Sequence, residues 1–121
     1  MEEQFTKGCE EFDAMDYFEA HETWEALWME ATGARHAFLQ CLIQVAVALH
    51  HASNGNLNGS RKLLSRSLSY LEKGRADSCP VDLDVLKDRI LEFELGIQSR
   101  EKGQNVELPY FKLPYRDERV K

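Results

Sequence analysis

A chain of 121 residues, of which 43% are hydrophobic and 30% charged, is long enough for one globular domain with a sizeable core. Its net charge of −6 argues against a protein that coats nucleic acid through its general electrostatic field. The N-terminus lacks a signal-peptide core, and the longest nearly apolar run, residues 37–49, is too short to span a bilayer. We therefore expect a cytoplasmic protein with no membrane or nucleic-acid partner.

The first helix is predicted over residues 2–14, because Phe5, Cys9 and Phe12 recur at i, i+4 and i+7. The chain has three cysteines and no CxxC pair, which fits a reducing compartment. Cys9 and Cys41 fall on apolar stripes, so we expect small buried side chains and no nucleophile.

The second helix is predicted over residues 16–32, with Asp16 and Glu19 as a capping box at its start. His21 and Glu25 lie one turn apart within its apolar arc, and Glu22 lies at the border of that arc. We therefore expect ionisable groups on a buried face. The apolar arc itself is formed by Tyr17, Ala20, Trp24, Leu27, Trp28 and Ala31. The face expected to meet water carries Glu19, Thr23, Ala26 and Glu30.

The third helix is predicted over residues 35–53, inside a stretch, 36–60, that contains no Asp, Glu, Lys or Arg. A helix that is apolar nearly all round is usually central. Its polar exceptions, Gln40, Gln44 and His51, fall within about 40° of one another on the helical wheel. The simplest geometry brings His21 and Glu25 of the second helix to this polar stripe. Spacing suggests no partner for the other histidines of the segment, which are His36 and His50.

Two more helices are predicted, over residues 58–73 and from an Asp82 cap to about residue 100, with Gly55 ending the third helix. Residues 61–75 hold five basic groups against one acidic group, whereas residues 1–30 hold ten acidic groups against one basic group. Two interpretations stay open. The basic helix either packs beside the acidic one or forms a docking face for an anionic partner.

Residues 103–121 are predicted to be an extended arm, since Pro109 and Pro114 forbid a continuous helix. The arm is too apolar for a free tail, so we expect it to pack on the bundle or on a partner subunit. The predicted organisation is therefore an all-α bundle of about five helices over residues 1–102, followed by this arm.

The run YFEAHETWEALW, followed by FLQCLIQVAVALHHASNGNLNG, resembles a bacterial and archaeal family known as domain of unknown function 309. The resemblance is to the patterns Y-F-E-A-H-E-x-W-E-x-x-W, L-x-G-L-I-Q-x-A-x-A-x-x-H and G-N-x-x-G-A, and it spans about residues 12–71. It implies an all-helical bundle and no established activity. It places the family's polar positions at His21, Glu22, Glu25, Gln44 and His51. The departures are Asp13 for Asn, which adds an acid near these residues, Cys41 for Gly and Ser60 for Ala.

Three hypotheses follow for the polar residues. In the first, His21, Glu25 and His51 bind a divalent metal, namely zinc, iron or manganese, and Glu22 is a further ligand or the general base. Gln44 then orients a ligand. A metal-dependent hydrolase is the natural activity, although the helix lacks the second His of an HExxH motif.

In the second hypothesis, His21, Glu22, Glu25, Gln44 and His51 line a ligand pocket. Its apolar walls are formed by Tyr17, Trp24 and Trp28, for which core packing is the competing explanation. In the third, the same polar groups form a buried network that fixes the register of two helices, and the function lies outside, as a surface for a protein partner or a homodimer. Whether the protein is an enzyme stays open.

Overall fold

The computed structural model of the protein describes residues 2–116, in which five helices are joined by short turns. Within these residues no strand forms, and an isolated bridge joins Val81 to Tyr115. The predicted all-α fold is therefore confirmed. The parts of the predicted bundle and arm that fall on Met1 and on residues 117–121 lie outside the described residues. The helices are α1 Glu3–Asp13, α2 Tyr17–Trp28, α3 Gly33–Ser53, α4 Leu57–Lys73 and α5 Leu83–Glu101.

Helix α3 is the centre of the bundle, as its uncharged sequence predicts. It packs against α2 on one side and against α4 on another. Because it is apolar around most of its circumference, it has to be covered from several directions. Despite this apolar helix, no helix within residues 2–116 is long and apolar enough to cross a membrane. The buried residues of α3 are Ala37, Phe38, Leu39, Cys41, Leu42, Ile43, Val45, Ala46, Ala48, Leu49 and Ala52.

Helix α1 covers one side of α2, and the contact between them is very close at Gly8. A Cβ atom built on Gly8 would lie 2.2 Å from Nε1 of Trp24. That indole nitrogen donates a hydrogen bond of 3.3 Å to the Phe5 carbonyl, so the Trp24 ring is fixed under α1. The same packing overturns one prediction. Thr23 is buried, not solvent-facing, because α1 covers it, and its hydroxyl donates to Oε1 of Glu11 at 2.6 Å.

The predicted capping box at the start of α2 does not form. The Asp16 side chain accepts no capping hydrogen bond, and its backbone, with ψ of 67°, is not in the extended conformation that lets a cap reach the first turn. The turn is instead closed by backbone groups, since the Asp16 amide donates to the Glu11 carbonyl at 2.8 Å. Met15, with φ of 67°, makes the chain reversal between α1 and α2.

Helix α4 packs mainly against α3 and α5, not against the acidic hairpin of α1 and α2. The interpretation that the basic helix pairs with the acidic one is therefore wrong. Its neighbour α5 begins as predicted, because Oδ1 of Asp82 accepts a hydrogen bond of 3.1 Å from the Val85 amide. Gly55, with φ of 84°, ends α3 in the left-handed conformation that favours glycine. The buried residues of α5 are Leu83, Leu86, Ile90, Phe93 and Ile97.

The described part of the arm, residues 103–116, runs back over α5, α2 and α1 of its own chain. The Tyr110 ring lies 6.0 Å from the Tyr17 ring and 5.0 Å from the Phe93 ring. Further along, the Phe111 ring lies 5.8 Å from that of Phe12. The arm therefore completes the aromatic core on the side of α2 that α3 leaves open.

Asp13, the last residue of α1, holds the end of the arm. Its Oδ1 accepts a hydrogen bond of 2.9 Å from the Leu113 amide, and its Oδ2 accepts one of 2.9 Å from the Tyr115 hydroxyl. The prediction that Asp13 adds an acid near His21 is therefore wrong, because this carboxylate faces the arm.

Asp13→Ala is expected to lower the free energy of unfolding by about 2–4 kcal/mol, since two hydrogen bonds to a carboxylate are lost. Asp13→Asn keeps one acceptor for the Leu113 amide and should cost about 1 kcal/mol. Denaturant unfolding measures both, and amide exchange at Leu113 should accelerate in the alanine variant. Asp16→Ala is the matched control, because the Asp16 side chain makes no capping bond. An equal loss in the two alanine variants would contradict the role of Asp13.

Candidate functional site

Two of the predicted pocket residues, Tyr17 and Trp24, belong to the core. The Tyr17 ring lies between the rings of Phe12, at 5.1 Å, and Tyr110, at 6.0 Å. Burial raises the pKa of its hydroxyl, with Tyr110 and Asp13 acting in the same direction. Trp24 is fully buried and faces α1. Neither ring lines a pocket beside His21, so core packing, the competing explanation, accounts for both.

His21 is half-buried at the contact between α2 and α3. Its Nδ1 lies 2.7 Å from the Phe18 carbonyl oxygen. Because a carbonyl only accepts, Nδ1 must carry the proton, and Nε2 of the neutral ring is left as an acceptor. Within residues 2–116, the His21 side chain forms no hydrogen bond to the side chain of Glu25, Gln44 or His51. It is therefore held by its own helix, not by a network between two helices.

Phe18 joins the two helices instead. Its ring lies 4.9 Å from the His21 ring and 5.4 Å from the His50 ring of α3. His50 in turn has Nε2 at 3.2 Å from Nδ2 of the Asn54 side chain, and its ring lies 6.3 Å from that of His51. This aromatic and histidine cluster lies at the N-terminal end of α2 and the C-terminal end of α3.

A second contact at the other end of the pair joins Trp28 to His36, whose rings stack at 4.7 Å. Sequence reasoning found no partner for either His36 or His50, yet both histidines contact α2. These contacts follow from the antiparallel register of α2 and α3, in which Phe18 lies beside His50 and Trp28 lies beside His36. Residue spacing within a single helix carries no such information.

The predicted polar stripe of α3 reaches the surface. Gln44 and His51 are half-buried, like Gln40. Oε1 of Gln44 is buried without a hydrogen-bond partner among residues 2–116, as is Nε1 of Trp28. An unpartnered polar atom of this kind costs about 1–3 kcal/mol, so the described side chains do not form the mutually satisfied network of the third hypothesis.

The acids of α2 lie further out. Glu22 and Glu25 are exposed, although Glu25 was predicted on the buried face. That prediction is wrong because α3 covers less of the apolar arc of α2 than the helical wheel suggests, and Glu25 lies on the uncovered part. Neither carboxylate forms an ion pair within the described part of the chain. Across residues 2–116 no group of three His, Cys, Asp or Glu residues could hold a metal ion, so the set His21, Glu25 and His51 has no support as a metal site.

One exposed feature of α2 was not singled out from the sequence. Phe18, Glu22, Glu25 and Met29 follow one another at i, i+4, i+7 and i+11, so they lie within about 60° on one side of the helix. Phe18 is 44% exposed and Met29 is 75% exposed. We call these four residues the α2 stripe. The apolar side chains of Phe18 and Met29 lie at its two ends, and the unpaired carboxylates of Glu22 and Glu25 lie between them. His21 borders the stripe on the side of α3.

The comparisons with known proteins find one family that is similar to about half of the chain. Residues 5–63, which include most of α1, all of α2 and α3 and the start of α4, match the model of a domain of unknown function, DUF309. The uncharacterised protein YpuF of Bacillus subtilis strain 168 is 38% identical over 58 residues, which are 47% of this chain and 33% of YpuF. The matched segment is thus about a third of that relative. No solved structure matches the chain.

His21→Ala should lower the free energy of unfolding by about 1 kcal/mol or less, and Glu25→Ala by about 0.5 kcal/mol or less, because neither side chain is part of a buried network. Trp24→Ala is the contrasting variant and should cost about 3–5 kcal/mol, since the whole ring is buried. Chemical denaturation of the three variants tests this. Losses of several kcal/mol at both polar positions would restore the buried-network hypothesis.

All three cysteines are free and buried. Burial raises the pKa of the Cys9 thiol from 9.0 to about 12, an effect that its contact with Tyr115 opposes. The unfolded chain therefore releases this proton at lower pH than the folded protein. Stability is unaffected below pH 9 and should fall by about 1 kcal/mol from pH 9 to pH 10 through this thiol. Unfolding curves of the protein and of Cys9→Ala should show a shallower decline in the variant.

Proposed function

We propose that this domain, whose residues 5–63 match the DUF309 family model, is a partner-binding module whose α2 stripe docks a basic amphipathic segment of a protein. The observation that carries the proposal is the order of the stripe, in which Glu22 and Glu25 lie exposed and unpaired between Phe18 and Met29. The partner is thereby defined by chemistry, as a segment with cationic residues between two apolar ones.

The two carboxylates supply the selectivity. They lie less than one turn apart on an exposed face, and they form no ion pair within residues 2–116. Lysine or arginine side chains of a partner would therefore not have to displace an existing cation. Such pairs at the surface accelerate encounter and suppress acidic partners more than they add affinity.

The apolar ends supply the contact area. Phe18 and Met29 are separated by 11 residues, which is about 16 Å along a helix. Exposed aromatic and methionine side chains are enriched at protein interfaces. A partner helix lying along α2 fits them with apolar residues near its two ends and basic residues near i+4 and i+7. The binding energy would come mainly from these two anchors.

The histidines at the edge of the stripe provide directional hydrogen bonds. Nε2 of His21 is left as an acceptor when Nδ1 donates to the Phe18 carbonyl. The side chain of the half-buried His51 forms no hydrogen bond within the described residues. A metal-dependent hydrolase and a small-molecule pocket, the alternatives from the sequence, have no structural observation in their favour and form no part of this proposal.

The proposal is tested by placing a photo-crosslinking amino acid at Met29 of the full chain in the cells that produce it. We expect a specific crosslink to a segment that carries Lys or Arg between apolar residues, as read by mass spectrometry of the joined peptides. Glu22→Arg with Glu25→Arg should reduce its yield by about tenfold or more, because repulsion replaces attraction. A synthetic peptide of that segment should show the same loss in calorimetric titration.

The matched control is Glu19→Arg with Glu30→Arg, which changes the net charge equally at two acids outside the stripe, about 100° around the helix from its centre. It should change the crosslink by about twofold or less, because neither side chain lies on the face that the partner covers. Equal loss in both double variants would indicate a general field effect and would refute docking at the stripe. A crosslinked segment without basic residues, or no specific crosslink, would refute it as well.

A further inference from the structure

We propose that the partner of the α2 stripe is a second copy of this chain, which presents a basic and apolar surface on α4 and α5. This inference rests on the proposed function, because it names the occupant of the same site. We call the receiving surface the α4–α5 face. Its members are Arg61, Lys62, Ser65 and Arg66 on α4 and Leu91, Glu94, Leu95 and Gln98 on α5.

The basic part of this face is available for a partner. Lys62 and Arg66 are exposed and form no ion pair within residues 2–116. Arg61 beside them is held in place, since its Nη2 donates to Oδ1 of Asn58 at 3.1 Å and lies 3.5 Å from Oε2 of Glu101. A protein with a net charge of −6 thus has a local cationic surface that its own acidic hairpin does not cover.

The shape of the face suits an inserted helix side chain. An open cleft of about 470 Å³ lies between α4 and α5, and it is lined by Arg61, Lys62, Ser65, Arg66, Glu94 and Gln98. Glu94 is the acidic residue of this lining, and burial raises the pKa of its carboxyl while Arg61 lowers it. Arg61 is already paired with Glu101, and the two remaining cations, Lys62 and Arg66, outnumber Glu94, so the cleft favours an incoming carboxylate.

The apolar part of the face is on the side of α5 that carries the cleft residues Glu94 and Gln98, because Leu91, Glu94, Leu95 and Gln98 follow one another at i, i+3, i+4 and i+7. Leu91 is 40% exposed and Leu95 is 61% exposed, one helical turn apart on the outer side of α5. Within residues 2–116 the exposed large apolar side chains occur in two places, these leucines and the group of Met15, Phe18 and Met29. One group is beside unpaired acids and the other is beside unpaired cations. Exposed apolar groups with polar surroundings commonly mark interaction surfaces.

The two surfaces lie on separate parts of the fold, so a chain cannot satisfy its own stripe. Helix α2 packs against α1 and α3, whereas α4 packs against α3 and α5. Docking the α2 stripe of one copy on the α4–α5 face of the next sets Glu22 and Glu25 against Lys62 and Arg66. One apolar end of the stripe then reaches the leucine pair. Because the two surfaces differ, the contact is head-to-tail and leaves one of each surface free at the ends of a dimer.

Complementary charge reversals test this contact by sedimentation velocity and light scattering over a range of concentrations at low salt. The unaltered chain should self-associate more strongly as the concentration rises and more weakly as salt screens the pairs. Glu22→Arg with Glu25→Arg should weaken association by on the order of tenfold, and so should Lys62→Glu with Arg66→Glu. Glu19→Arg with Glu30→Arg, the control outside the stripe, should associate nearly as well as the unaltered chain.

The decisive measurement mixes the two interface variants. One variant keeps a normal α4–α5 face and the other keeps a normal α2 stripe, so an equimolar mixture restores the contact between unlike copies and should associate more strongly than either variant alone. The two altered surfaces also carry opposite charges, Arg on one and Glu on the other, so the mixture can form alternating chains and need not stop at a dimer. Circular dichroism and the unfolding midpoint confirm that each variant is folded before mixing. A mixture that stays monomeric refutes the contact.

A second result would also refute self-docking, namely an unaltered chain that stays monomeric at every concentration. This outcome is distinguishable from failure of the proposed function. If the crosslink at Met29 then joins a different protein and still depends on Glu22 and Glu25, docking at the stripe stands and only the second copy is excluded. If the crosslink also fails, both proposals are wrong.

Discussion

The packing of α3 is the constraint on which the rest of the structure depends. A helix of 21 residues without a single charged side chain after its first turn cannot face water on most of its sides. Helices α2 and α4 cover it from two directions, and each is covered in turn by α1 and α5. The order of the chain follows from this, because short turns between sequential helices place each one beside its predecessor. The exposed edges of α2 and α4 are consequences of covering α3.

Aromatic packing on α1 and the arm completes this arrangement. Phe12 contacts Tyr17, Trp24 and Phe111, so it links the first two helices to the C-terminal segment. Asp13, the next residue, holds the arm by two hydrogen bonds across about 100 residues of sequence. Because these bonds join residues so far apart in sequence, they form only after α1 and the arm are nearly in place. They therefore contribute little to the early steps of folding and more to the stability of the folded state. The arm is therefore part of the same core as the family domain.

The helical wheel predicted the fold well and the site poorly, for one physical reason. Periodicity identifies the buried side of a helix where large apolar residues repeat, as it does for Phe5 and Phe12 on α1. It does not say which neighbours cover that side or where the cover stops. Thr23 was placed in water because nothing in its own helix reveals α1, and Glu25 was placed inside because nothing marks the edge of α3. His36 and His50 were missed because their contacts depend on the antiparallel register of two helices.

The side of α2 that α1 and α3 leave uncovered adds little to the stability of the isolated chain. Glu22 and Glu25 are neighbours of like charge on a helix surface, which costs a few tenths of a kcal/mol and is not relieved by any ion pair within residues 2–116. Phe18 and Met29 keep much of their surface in water and so contribute less than a buried side chain of the same size. In the proposed complex, a cationic partner would turn the repulsion into attraction and would cover both apolar groups. The four residues would then become favourable together, whereas an acidic partner would meet the same repulsion that the isolated helix carries.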